Sequence, residues 1–251
     1  MKRRSKSFRR DPSLMRGRIK RFEKRLVSLF EDARPELEAL VDKVAKGREM
    51  EGLDLNSVLL LAQLNSILTN RILTPGNALV TDNAVDAYLA GMVRADQLMG
   101  IKASASLRMP TDKRVIEALK LKASATFQGL TDEMSKTIMQ TITDGIMRGD
   151  GSDAIARAIS ERVDVSKSRA RTIARTESMS GFNAGAKARY KQQGVSKVEW
   201  SYAGEDGRTC DYCRSMDGKQ YDADDAPNLP TDSHPNCRCV MLPVITPLED
   251  L

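Results

Sequence analysis

All four cysteines of this 251-residue chain, and its single histidine, fall between Cys210 and Cys239. Cys210-Asp-Tyr-Cys213 supplies two thiolates at the two-residue spacing that turns both sulfurs toward one tetrahedral ion. His234-Pro-Asn-Cys237-Arg-Cys239 supplies three further donors. Soft sulfur combined with imidazole selects zinc over magnesium or calcium. Five donors compete for four positions, so one is spare. The spacing of His234 to Cys237 favours that pair, and Cys239 takes the place of Cys237 if the following strand begins earlier. Four protein ligands leave no position for a catalytic water, so the expected Zn2+, one per chain, is structural. The intervening stretch carries Asp217, Gly218, Asp222, Asp224, Asp225, Pro227 and Pro230 and little apolar material. A metal supplies the order that such a loop lacks.

Other readings of the cluster are a redox pair at Cys210 and Cys213, four unconnected thiols, and a catalytic zinc with three protein ligands and a water. A redox pair requires no histidine nearby. A hydrolytic zinc wants a general base, and no glutamate stands beside His234. Cysteines gathered in one stretch fit a metal site in a reducing compartment better than a disulfide framework.

The rest of the chain reads as mainly α: a helical body with a small C-terminal zinc-stapled α+β module. Ala and Leu dominate the apolar residues, Met is frequent and Trp200 is the only tryptophan, which suits helix-on-helix packing. Residues 1–13 lack an apolar period and read as a flexible basic arm. A helix follows from about Leu14 to Gly47 with Ile19, Phe22, Leu26, Leu29 and Phe30 on its face, and Pro35 should kink or divide it. Asp54 or Asn56 caps a second helix, apolar on most sides and so expected to be buried, which ends near Thr74-Pro75-Gly76. Further helices are predicted over Asp82–Met99, Thr111–Ala123 and Thr131–Met147. Ser152 caps a short one, and another runs from Ser166 to about Gln193 before Gly194. Val198, Trp200 and Tyr202 alternate as in a strand, and Val240–Val244 reads as a second. The division is thus an arm (1–13), a helical N-terminal domain (14–150) and a C-terminal domain (151–251) with its metal module at about 195–245. No window approaches the roughly 18 apolar residues of a membrane span.

Arg171 to Asn183, then Trp200, Thr209-Cys210-x-x-Cys213, Asp217-Gly218 and the His234-to-Cys239 block resemble the phage head morphogenesis family, the minor head proteins similar to Mu F. The resemblance covers roughly Ser152 to Pro243. It implies a minor protein of tailed-phage heads: a non-enzymatic assembly factor associated with the portal or inner capsid. Its partners would be portal, major capsid or scaffold protein, and its location the virion head, after synthesis in the host cytoplasm. No catalytic residue and no small-molecule substrate are expected.

Arg171, Arg175 and Glu177 do not converge on a helix as an active site would. They are expected, with Asn183, to dock that helix through ion pairs and hydrogen bonds. The first 25 residues hold twelve basic side chains against Asp11 and Glu23, a net +10 in a chain of net +6, so the remainder is slightly acidic. Polyanion contact therefore rests on the N-terminus, on Lys2, Arg3, Arg4, Lys6, Arg9 and Arg10 above all, with packaged DNA as the candidate partner. Few aromatics interleave these charges, which argues against base stacking.

Overall fold

The computed structural model describes residues 11–49, 57–101, 111–204 and 209–245. In chain order they form α1 (Arg16–Glu49), α2 (Ser57–Leu68), a π-helical turn (Thr69–Leu73), α3 (Thr74–Leu98), α4 (Lys113–Arg148), α5 (Ser152–Gln192), β1 (Lys197–Ser201), the short α6 (Asp211–Ser215), β2 (Gln220–Asp222) and β3 (Val240–Pro243). The chain is mainly helical with one small antiparallel sheet, ordered β2-β1-β3.

Several predicted boundaries are absent because tertiary packing overrides local breakers. Pro35 lies inside α1, which is not divided. The residue is exposed, so water can satisfy the Glu31 carbonyl that loses its amide partner. The second predicted helix does not end at Thr74-Pro75-Gly76 but passes through the π turn into α3. Its buried positions Leu60, Leu64, Leu68, Ile72 and Val80 recur every four residues or a multiple of four. An α-helix drifts about 40° for each four-residue step, and the wider π turn takes up part of that drift. Gly76 is there for packing: a Cβ at this position would lie 2.1 Å from the Phe127 ring. The expectation that α2 is buried on most sides is also overturned, because Leu59 and Leu61 are exposed. Likewise α4 runs unbroken through Gly129, and Ser152 opens one 41-residue helix, not a short one. Gly149 and Gly194 do terminate helices, with φ of 79° and 69°.

The chain divides into two compact units, each assembled from separated segments. The helical unit comprises residues 22–80 and 123–173. Its core follows helical periodicity, with Leu26, Phe30, Ala33 and Leu37 on α1 and Leu130, Met134, Ile138 and Ile142 on α4. Arg34 pairs with Asp164 at 2.8 Å, and Lys167 with both Glu31 and Asp164.

The sheet unit comprises residues 1–21, 81–122 and 174–251. Within it α3 and α5 cross with backbones in contact. A Cβ on Gly185 would lie 1.9 Å from the Tyr88 carbonyl oxygen, and one on Gly91 2.0 Å from that of Phe182. The buried pair Arg189–Asp96, at 2.6 Å, joins the same helices. Asp11 to Ser13, expected in the flexible arm, are docked instead: Pro12 and Ser13 are buried, and the Pro12 carbonyl accepts from Arg94 Nε at 3.0 Å. Met15 and Ile19 join Phe182, Val240 and Leu242 in one apolar cluster. Residues 1–10, which carry the six arm cations named above, lie outside the described residues.

Candidate metal centre

The cysteine–histidine segment is laid against the second half of α5 by a few specific contacts. Trp200, fully buried on β1, packs with Tyr190, Cys213, Cys237, Cys239 and Met241 in one cluster. Asn183 Nδ2 donates to the Cys239 carbonyl at 3.2 Å and to that of Met179 at 3.0 Å. The Tyr190 hydroxyl donates to the Met241 carbonyl at 3.2 Å, and the Asn236 amide to Thr176 Oγ1 at 3.1 Å. The strand register places Trp200 opposite Met241 and Ser201 opposite Val240, which fixes where the Cys237–Cys239 segment enters the sheet.

Cys210 is the N-cap of α6: its extended backbone lets Sγ accept from the Cys213 amide at 3.4 Å. That one turn brings both sulfurs to His234 Nε2, at 3.3 Å from Cys210 and 3.1 Å from Cys213. His234 Nδ1 lies 2.8 Å from the Pro235 carbonyl. A carbonyl only accepts, so Nδ1 carries a proton and Nε2 is the ring atom that faces the sulfurs. This is the outer-shell arrangement that orients a ligating imidazole. Asn236, at φ 64°, makes the tight turn between His234 and Cys237, whose amide returns to the His234 carbonyl at 3.2 Å.

Two donor groups result, Cys210/Cys213/His234 and Cys213/Cys237/Cys239, each with its ligand atoms within 4.8 Å of one another. Cys213 belongs to both. Its sulfur lies 3.8 Å from that of Cys237. A tetrahedron with bonds of about 2.3 Å has a sulfur–sulfur edge of about 3.8 Å. Each group could hold a metal ion, and that one edge matches a tetrahedral site.

Burial pushes the Cys213 thiol up to about 12, and the neighbouring Cys237 adds to this. A hydrogen bond from Cys239, assisted by Ser233 and opposed by burial, holds Cys237 down at about 5. Cys239 is correspondingly raised, first by donating that bond and then by burial. The Cys213 amide lowers Cys210. For His234, burial works against the imidazolium, but the Pro235 carbonyl and the Cys237 and Cys210 sulfurs outweigh it. A divalent cation bound among these sulfurs would displace the protons they hold.

Residues 136–242 match the family model described as Phage Mu protein F like protein. The chain carries a Mu F-like region. The match begins within α4, sooner than the resemblance in the sequence suggests, and ends at Leu242 in β3. It holds all five donors, Asn183, Tyr190 and the sheet register that joins them. No curated protein matches the chain, and no solved structure does.

The other residues of the Mu F-like helix are placed unevenly. Arg171 is exposed and belongs to the helical unit, while Arg175 is half-buried in the sheet unit. Glu177 is buried, with Lys122 Nζ 3.9 Å from its carboxylate. Burial raises its carboxyl, with Lys122 opposing. The residues that dock the helix and were missed in the sequence are Thr176, Tyr190 and Arg189. The glycines Gly181 and Gly185 were the available signal: glycine inside a helix costs about 1 kcal/mol relative to alanine and implies close approach.

Proposed function

We propose that the protein is a minor head protein of a tailed phage, a structural factor without enzymatic activity that acts at the portal or inner capsid during head assembly. The observation that carries this reading is the Mu F-like match across a donor cluster bonded through Asn183 and Thr176 to a buried helix. The metal is one structural Zn2+ held by Cys210, Cys213, His234 and Cys237, with Cys239 spare. The 3.8 Å edge between Cys213 and Cys237 supports Cys237. The zinc holds the loop between β2 and β3 against α5, and Arg171, Arg175, Glu177 and Asn183 support that helix. Functionally the chain divides into a basic arm, a helical N-terminal part and a head-morphogenesis part over 151–251. The test is deletion of the gene from its phage, with head particles counted by electron microscopy and portal co-purification assayed. Normal infectious heads without the protein would refute the assignment.

A second reading is favoured by one observation, the +10 charge of the first 25 residues. In it the arm neutralises phosphates of packaged DNA, a contact without sequence preference that weakens steeply with salt. Residues from Asp11 onward are docked, so the informative deletion is 1–10. It should abolish DNA retention at low salt, and unchanged retention would refute this reading.

A further inference from the structure

A cavity of about 370 Å³ opens in the sheet unit between α4, α5 and the loop that follows β2. Most of its lining is apolar, including Val115, Leu119, Ala184, Tyr190, Leu229 and Met241. Its volume is at the low end of the roughly 300–1,000 Å³ of ligand pockets, room for one or two large side chains.

Most polar groups in this lining bond one another, but the Lys187 ammonium meets only neutral acceptors at hydrogen-bond distance. Lys187 Nζ donates to the Ala226 carbonyl at 2.9 Å and to Asn228 Oδ1 at 3.3 Å, both neutral acceptors. Among the described residues no carboxylate comes within ion-pair distance of it; Asp224, Asp225 and Asp232 act only from farther away. Asn183, one turn earlier on α5, lines the same cavity, and its buried Oδ1 accepts from nothing. Lys122 is placed differently, since its ammonium reaches Ser180, Thr231 and Glu177. An apolar hollow beside an ammonium with no carboxylate in direct contact suits an apolar group carrying a carboxylate next to it. A buried apolar anchor with a flanking charge is how a protein surface takes hold of a partner's segment.

Resting on the reading of the protein as a head-assembly factor, we propose that this cavity is the anchor point for a peptide segment of another head protein, with a large apolar side chain seated in the hollow and an adjacent Asp or Glu paired with Lys187.

The probe is a library of random dodecapeptides, selected on the full chain purified from zinc-supplemented culture. Recovered clones are then compared on wild type, Lys187→Met and Ala184→Leu, each checked for unchanged circular dichroism and zinc content. The expected clones share a large apolar residue beside an acidic one. Lys187→Met, which keeps the stem and removes the charge, should weaken them about tenfold or more, and Ala184→Leu, which narrows the hollow, by a similar factor. Clones without the acidic residue, or binding both variants as tightly as wild type, would overturn the proposal. If Ala184→Leu fails to fold, the Lys187→Met comparison decides alone. A chain that supports head assembly yet shows no such selectivity refutes the cavity proposal by itself. One that selects these peptides but is dispensable for heads refutes the head assignment by itself.

Discussion

At the scale of single residues, the donor cluster makes separable predictions. Cys213 lies in both donor groups, so Cys213→Ser should lose the metal and unfold the C-terminal region, read as zinc content and loss of near-ultraviolet dichroism from Trp200. Cys239→Ser should keep its zinc, whereas Cys237→Ser should not; the reverse result would exchange their roles. Asn183→Ala leaves the Cys239 carbonyl without its side-chain donor and should cost about 1–3 kcal/mol in a denaturant titration. That these five side chains gather was legible in the sequence because thiolate spacing is a local property. The choice between Cys237 and Cys239 was not, since it depends on the Asn236 turn and on where β3 begins.

Helices and strands obey a different balance. Sequence punctuation located real stops at Gly149 and Gly194, where the backbone takes positive φ. It misread Gly76 and Pro35, which mark close packing and an exposed helix face. Local propensities are weak beside tertiary contact, and a glycine in a helix looks the same to either reading until its neighbour is known. Beta strand β2 escaped notice because three residues, Gln220 to Asp222, carry no alternating apolar pattern. The α3–α5 crossing gives the strongest prediction at this scale. Gly185→Ala must push the helices apart, because the added carbon would meet the Tyr88 carbonyl, and should destabilise the protein by at least ~2 kcal/mol.

Glu177, on the buried side of α5, makes that helix pH-sensitive. Its folded carboxyl is raised above the ordinary 4.5. The folded state then holds that proton more tightly than the unfolded state. The associated stability is complete below about 4.5 and is lost as pH rises through the raised folded value. Glu177→Gln should therefore raise Tm at pH 7, and the gain should shrink toward zero below pH 4. A variant that is less stable at pH 7 would show that the Lys122 contact outweighs burial.

For the whole molecule, the two units differ in what holds them. The helical unit rests on periodic apolar faces and carries ion pairs such as Arg34–Asp164. The sheet unit contains a loop from Ala223 to Ser233 with little apolar content, whose buried apolar side chains are Ala223, Ala226, Leu229 and Pro230. Burial of that kind is too little to fix such a stretch of chain against its conformational entropy. If the proposed zinc is bound, the loop, and with it one wall of the Lys187 cavity, would owe part of its order to the ion. Metal content of the full-length protein by mass spectrometry, followed through stepwise chelation with Trp200 fluorescence, tests this most directly. About one zinc per chain is expected, with loss of the native Trp200 signal in step with its removal. A protein that folds with the same Trp200 signal and no bound metal would contradict it.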